Sequence, residues 1–271
     1  MGTLCIHTEN SEFQIIQSLK TNRAKRKQLG EMFIEGTECI KQAIDANMEI
    51  TRIIVKNGIV LSDWGKDTIK KHSHAKTIEM SGGLYEKLSD KASPPEMLAT
   101  AKIKSYVTDD IIDENPFILL FDRPSDYGNL GSVIRSANAF GVSGIFIVGH
   151  GIDIYESKVT RASLGSIFFT KIVQIESMEA LERYIKSQKT KNNMEIAGTD
   201  SNGTVSLKEC ELKIPIMVII GNESKGMSKK LIEICDKIIK IPMEGNINSL
   251  NVSCAASIMM WEIYKNKLKR I

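Results

Sequence analysis

Residues 11–29 place Phe13, Ile16 and Leu19 at helical spacing among polar neighbours, which predicts an amphipathic helix ending in a basic cluster, Lys20, Arg23, Lys25, Arg26 and Lys27. Residues 32–35 then read as a short strand stopped by Gly36, and Thr37 is placed to open a helix running to Asp45. The β-branched run 50–55 predicts a strand, as do 77–80 and 98–103. Ser81-Gly82-Gly83 opens a helix between the last two. Together these make a small α/β unit of about 100 residues.

Residues 107–115 are acidic and precede Pro116, the pattern of a linker. Strand-like runs follow at 117–121, 144–148, 172–175, 195–197, 216–220 and 238–241. Helical spacing separates them at 130–140, 155–163, 178–188 and 228–235, and a last helix starts at Ser249 and runs to about 267. Such alternation predicts a parallel sheet covered on both faces, with the active site beyond the carboxyl ends of its strands. The expected division is therefore 1–106, a linker at 107–115, and 116–271. Within the last helix, 250–261 carries no charged side chain. A helix apolar nearly all round is buried on more than one side, in a core or at a subunit interface.

Composition narrows the partners only a little. The 271 residues are 42% hydrophobic and 25% charged, the profile of a folded globular chain. The net charge of +3 excludes a histone-like protein. Its placement is uneven: 1–106 holds 16 basic against 13 acidic side chains, and the remainder holds 20 of each. The five cysteines, at 5, 39, 210, 235 and 254, form no CxxC pair, so reduced thiols in a cytoplasmic protein are expected, with neither zinc ribbon nor disulfide framework. His72 and His74 lack companion ligands and read as a surface loop pair, and no metal is expected. The opening residues show no signal-peptide pattern, and apolar runs of about five residues are far short of the ~20 that span a bilayer, so no membrane association is expected.

The familiar nucleotide motifs fail. Gly221 to Gly226 has P-loop spacing, but Met227 stands where the phosphate-binding lysine belongs. No GxGxxG follows a strand, which disfavours a Rossmann-type dinucleotide enzyme, and no Asp/Glu-x-Gly-x-Gly stretch occurs. Three post-strand segments instead combine glycine with polar side chains. They are Asn129-x-Gly131-x-x-x-Arg135, Gly221-Asn222-Glu223-x-x-Gly226, and Ile241-Pro242-Met243-x-Gly245 leading into Ser249-Leu250-Asn251-Val252-Ser253.

These three segments, in this order and spacing, resemble the motifs of the SpoU/TrmH class of the SPOUT superfamily, S-adenosylmethionine-dependent RNA ribose 2′-O-methyltransferases. Residues 33–36 and the preceding basic helix are similar to that class's substrate-binding domain, whose fold is like certain RNA-binding ribosomal proteins. The resemblance covers nearly the whole chain. One departure is Ser224-Lys225, where many members have glycine directly after the glutamate. Arg161-Ala162-Ser163 is similar to the thiopeptide-resistance enzymes of the class.

The resemblance implies an α/β fold whose C-terminal SPOUT domain has a parallel sheet and a deep trefoil knot, and a homodimer formed through the motif-one and last helices. It implies catalytic roles for Arg135, Asn129, Glu223, Ser249 and Asn251. Cofactor contacts carry over to Thr199, Gly221, Asn222, Ile241, Met243, Ser249 and Leu250. RNA contact falls to Arg23, Lys25, Arg26, Lys27 and Arg161, with ribosomal RNA favoured over transfer RNA. Plain readings stand beside these: a helix cap for Asn129, an exposed loop acid for Glu223, ordinary core for Ile241, Met243 and Leu250, and a solvated face for the basic cluster. Set against the enzyme are a tRNA-modifying relative and a non-catalytic RNA-binding protein of the same fold.

Overall fold

A short strand, β1 (Leu4–Ile6), leads to Asn10, whose side chain accepts the Phe13 N–H at 3.0 Å and so opens α1 (Ser11–Thr21). Asn22 then repeats the device. Its backbone is extended and its side chain accepts the Lys25 N–H at 3.1 Å, starting α2 (Arg23–Leu29). The helical stretch 11–29 is thus two helices, because Asn22 offers the backbone a second N-cap. β2 (Glu31–Glu35), α3 (Thr37–Asp45), β3 (Ile50–Lys56), α4 (Asp63–Lys71), β4 (Lys76–Met80), α5 (Gly82–Leu88) and β5 (Met97–Lys102) follow. Their sheet runs β1-β4-β3-β5-β2, with β4 parallel to β1 and β3, and β5 antiparallel to β3 and β2. Phe13, Ile16 and Leu19 are fully buried against Phe33, Ile54, Ile78, Tyr85 and Leu98. Each such side chain contributes roughly 1.5–3 kcal/mol.

The second sheet is wholly parallel, with order β10-β12-β9-β11-β6-β7-β8. Its elements are β6 (Phe117–Asp122), α6 (Tyr127–Ala139), β7 (Gly144–Val148), β8 (Ile172–Ile175), α8 (Met178–Asn192), β9 (Glu195–Thr199), β10 (Val205–Ser206), β11 (Ile216–Ile220), α9 (Lys229–Glu233), β12 (Lys237–Lys240) and α10 (Val252–Leu268), with α7 (Ser157–Ala162) between β7 and β8. Every residue of β6, β7 and β11 is buried, as central strands covered on both faces require.

This computed structural model describes residues 3–269, and they divide into two compact units. The first comprises the chain up to Lys104 together with Asp153–Phe168, and the second comprises Ser105–Ile152 and the chain from Phe169 on. The expected boundaries therefore shift in two places. Residues 153–168, placed with 116–271 by the sequence, belong to the first unit because its buried charges need them. Arg26, 3% exposed, donates to Asp153 at 2.7 Å and Glu156 at 2.9 Å. Arg161 on α7 pairs with the buried Glu35 and with Asp90, the latter at 2.8 Å. The 107–115 stretch is not a free linker either. It forms a 3-10 turn at Thr108–Asp110, and Ile111 packs into the second unit's core. No helix among the described residues is long and apolar enough to cross a membrane.

Candidate functional site

At the carboxyl ends of β9, β11 and β12 the second unit opens a cleft of about 360 Å³, within the usual range for small-molecule sites. Thr199, Gly221, Asn222, Ile241, Met243, Ser249 and Leu250, the seven positions expected to touch a cofactor, all line it. So does Glu223. Among the lining residues that the sequence reading did not assign to the site are Asp200, Ser201, Asn202, Lys225 and Ile239. The signal for Asp200 was its place one residue beyond a strand end.

The wall at 221–226 is a tight turn whose shape follows from its residues. Asn222 and Gly226 exchange backbone hydrogen bonds at 3.0 Å, and the Asn222 Oδ1 accepts the Ser224 and Lys225 N–H groups, also at 3.0 Å. A Cβ on Gly221 would lie 2.4 Å from the Gly226 and Met227 backbone, so only glycine fits. Gly226 takes the left-handed position at φ +64°. Ser224 and Lys225 need no such conformation, which is why the chain tolerates them after the glutamate.

Glu223 makes no hydrogen bond or ion pair with Arg135 among the described residues. Its carboxylate accepts the Ser125 hydroxyl at 2.5 Å, the Ser125 N–H at 3.0 Å and the Asp126 N–H at 3.2 Å. It thereby holds the loop that enters α6. Asp126 is the N-cap of α6, accepting the Asn129 N–H at 2.7 Å. Asn129 is not the cap, and its Oδ1 is free to accept the Asn251 Nδ2 at 2.9 Å. Asn251 in turn caps α10, accepting the Ser253 N–H at 2.8 Å and the Ser253 hydroxyl at 2.7 Å. The last helix accordingly begins at Val252 and not at Ser249, because Asn251 is the better-placed cap. Ser249 is left on the cleft. Asn129 and Asn251 are brought together, with Ser249 and Leu250 next to Asn251 in the chain. Arg135 lies two turns further along α6, exposed, with no hydrogen bond or ion pair among the described residues, and it does not line the cleft.

The five residues expected to contact RNA all fall in the first unit, and they differ. Lys25 and Lys27 are exposed, the Lys25 ammonium donating to Gln28 at 3.0 Å, and Arg23 is exposed. Arg26 and Arg161 are committed to the ion pairs described above, so neither presents a free cation.

Burial pushes the Cys39 and Cys235 thiols up to about 11, which excludes either as a ready nucleophile. Among the described residues no cluster of His, Cys, Asp and Glu could hold a metal ion.

Residues 116–261 match the SpoU rRNA Methylase family and residues 10–99 match the SpoU L30e-like domain, so the chain belongs to the SpoU rRNA methylase family. It is 30% identical over 266 residues to a 23S rRNA (uridine(2479)-2′-O)-methyltransferase of Streptomyces viridochromogenes, covering 97% of this chain and 92% of that one. It is 29% identical over 246 residues to a putative TrmH family tRNA/rRNA methyltransferase of Staphylococcus aureus (strain COL), covering 86% and 96% of the two chains. Its fold matches the crystal structure of the SpoU methyltransferase AviRb from Streptomyces viridochromogenes in complex with AdoMet, with TM-score 0.89 and 30% identity over 96% of this chain and 98% of that one.

Proposed function

We propose that this protein transfers a methyl group from S-adenosylmethionine to a ribose 2′-hydroxyl of ribosomal RNA. The observation that carries the reading is the convergence on one cleft of seven residues distant in sequence, Thr199 and six from the second and third motifs. The cleft suits the cofactor's chemistry. Ile239, Ile241 and Leu250 would give an apolar wall for an adenine. Asp200 is half-buried, and its Oδ2 accepts no hydrogen bond among the described residues, a carboxylate suited to a cationic ligand. When bound, S-adenosylmethionine would supply an electrophilic methyl on a sulfonium that leaves as a neutral thioether, so no metal is called for.

The chain's own residues do the rest. A 2′-hydroxyl is a poor nucleophile until it begins to lose its proton, so the site must stabilise developing alkoxide. The Arg135 guanidinium, uncommitted and exposed, suits a substrate phosphate and the alkoxide. A guanidinium holds its proton too tightly to serve readily as a base, which favours electrostatic activation over proton abstraction. Asn129 and Asn251, bonded to each other, and Ser249 beside them offer amide and hydroxyl groups to orient the ribose. Glu223 acts at one remove, fixing the start of α6.

The reading includes a deep trefoil knot in the stretch leading into α10, a homodimer, RNA held by the first unit through Arg23, Lys25 and Lys27, and action in the cytoplasm, which five free cysteines suit. The relatives' names favour ribosomal over transfer RNA.

The test is methyl transfer from labelled S-adenosylmethionine to ribosomal and transfer RNA, with the modified nucleotide mapped. Arg135→Lys should lose most of its rate while binding the cofactor as before. Near-normal turnover in that variant would remove Arg135 from the mechanism, and an inactive wild type that binds RNA would favour the non-catalytic alternative.

A further inference from the structure

The cleft wall at 221–226 is tied to the loop before α6 by two residues that do not line the cleft, Asp122 and Arg123. Asp122, 1% exposed, ends β6. Arg123 follows it at φ +49°, a left-handed conformation that a bulky side chain rarely adopts. Such conformations persist where the surroundings over-determine them, and here they do. The Arg123 N–H donates to the Val148 carbonyl at 2.9 Å. Its Nε and Nη2 each reach one oxygen of Asp122 at 2.8 Å, and Nη2 also donates to the Gly226 carbonyl at 3.2 Å. The Arg123 carbonyl accepts the Asn222 Nδ2 at 2.7 Å, and Asp122 accepts the Ser228 N–H at 2.8 Å. The turn is therefore gripped at both ends, at Asn222 and at 226–228, from a single point. The hydrogen bonds to Asp122 raise the Arg123 pKa above its ordinary value.

We propose that Arg123 is a positioning residue for cofactor binding: braced on Asp122, it holds the 221–228 turn in the shape that accepts S-adenosylmethionine. The inference rests on the reading of the cleft given above.

Calorimetric titration of S-adenosylmethionine into the full-length protein tests it, with fold monitored by near-UV circular dichroism. Arg123→Lys keeps a cation beside Asp122 but cannot reach Asp122 and Gly226 together. The double variant Asp122→Asn/Arg123→Gly suits the left-handed backbone and leaves no orphaned buried charge. Both are expected to keep the wild-type spectrum and to bind the cofactor about tenfold more weakly. In steady state KM for S-adenosylmethionine should rise while kcat stays within about threefold, a split that general destabilisation would not give. Wild-type affinity in folded variants overturns the proposal. Loss of the near-UV signal in both assigns Arg123 to folding alone and overturns it equally. A wild-type protein that takes up no S-adenosylmethionine refutes the reading of the cleft, and the inference with it.

Discussion

Arg26 and Lys27 are neighbours in α2 with opposite duties. Arg26 points inward, donating to Asp153, Glu156 and the Leu19 and Lys20 carbonyls, whereas Lys27 is exposed. In the sequence they were two members of one basic cluster. Nothing local distinguishes them, because the acids that claim Arg26 lie some 130 positions away. Arg26→Ala should destabilise the protein by about 3–5 kcal/mol, since it leaves two carboxylates unpaired in a largely buried setting. Lys25→Glu with Lys27→Glu should leave thermal stability within about 0.5 kcal/mol of wild type, yet weaken RNA binding and flatten its salt dependence. Denaturant titration and filter binding across a salt series separate the two effects. An unchanged salt slope in the double variant would remove this face from RNA contact.

Among the elements, the strands and helices with strong period were legible, and those defined by partners were not. The buried runs of β6, β7 and β11 and the Phe13–Ile16–Leu19 stripe follow from side-chain pattern alone. β1 and β10 are three and two residues long, too short to show a period, and exist because a neighbouring strand offers its edge. The start of α10 lies three residues later than expected because Ser249 and Asn251 are both good caps, and the bond to Asn129 favours Asn251. The cleft-lining positions were readable because all but Thr199 of those expected sit in contiguous motifs, whereas the Arg123 contacts were not, since they depend on a backbone conformation. The first sheet also carries a device that sequence hides. Arg52 on β3 donates to Glu12 of α1 at 2.7 Å and pairs with Glu31 of β2. Burial raises both acids, but hydrogen bonds from Lys76 and Arg52 to Glu12, and from Lys102 to Glu31 with the Arg52 charge, outweigh it and leave both below the ordinary value of 4.5. A carboxylate lowered on folding stabilises fully above its unfolded pKa and loses that contribution as pH falls through the folded one. Thermal stability should therefore hold from neutrality down to about pH 4.5 and then decline, and Glu31→Gln should flatten that decline in melts followed by circular dichroism.

For the whole molecule, the decisive surface is the one that α6 and α10 leave open. These helices pack side by side, with Ser136 and Ser257 hydroxyls 2.8 Å apart. Phe140, Trp261 and Tyr264 cluster at ring-centroid distances of 5.8–6.1 Å, and Trp261 is 45% exposed. The uncharged stretch 250–261 is thus not wholly covered within one chain: Ala256, Met259 and Met260 are buried, but Cys254 and Trp261 face outward. An exposed tryptophan on an uncharged stretch of helix is costly in water and is the kind of anchor that dominates interfaces. A second copy of the chain meeting this face satisfies it, since a two-fold interface lets one patch cover itself. Sedimentation equilibrium should then give twice the 30.2 kDa chain mass for the wild type and the single mass for Trp261→Glu. Because Trp261 is outside the core, the variant should keep its far-UV spectrum, so the change in mass reports the interface and not the fold. A wild type that sediments at 30.2 kDa would require some other cover for Trp261 and would overturn the proposed dimer.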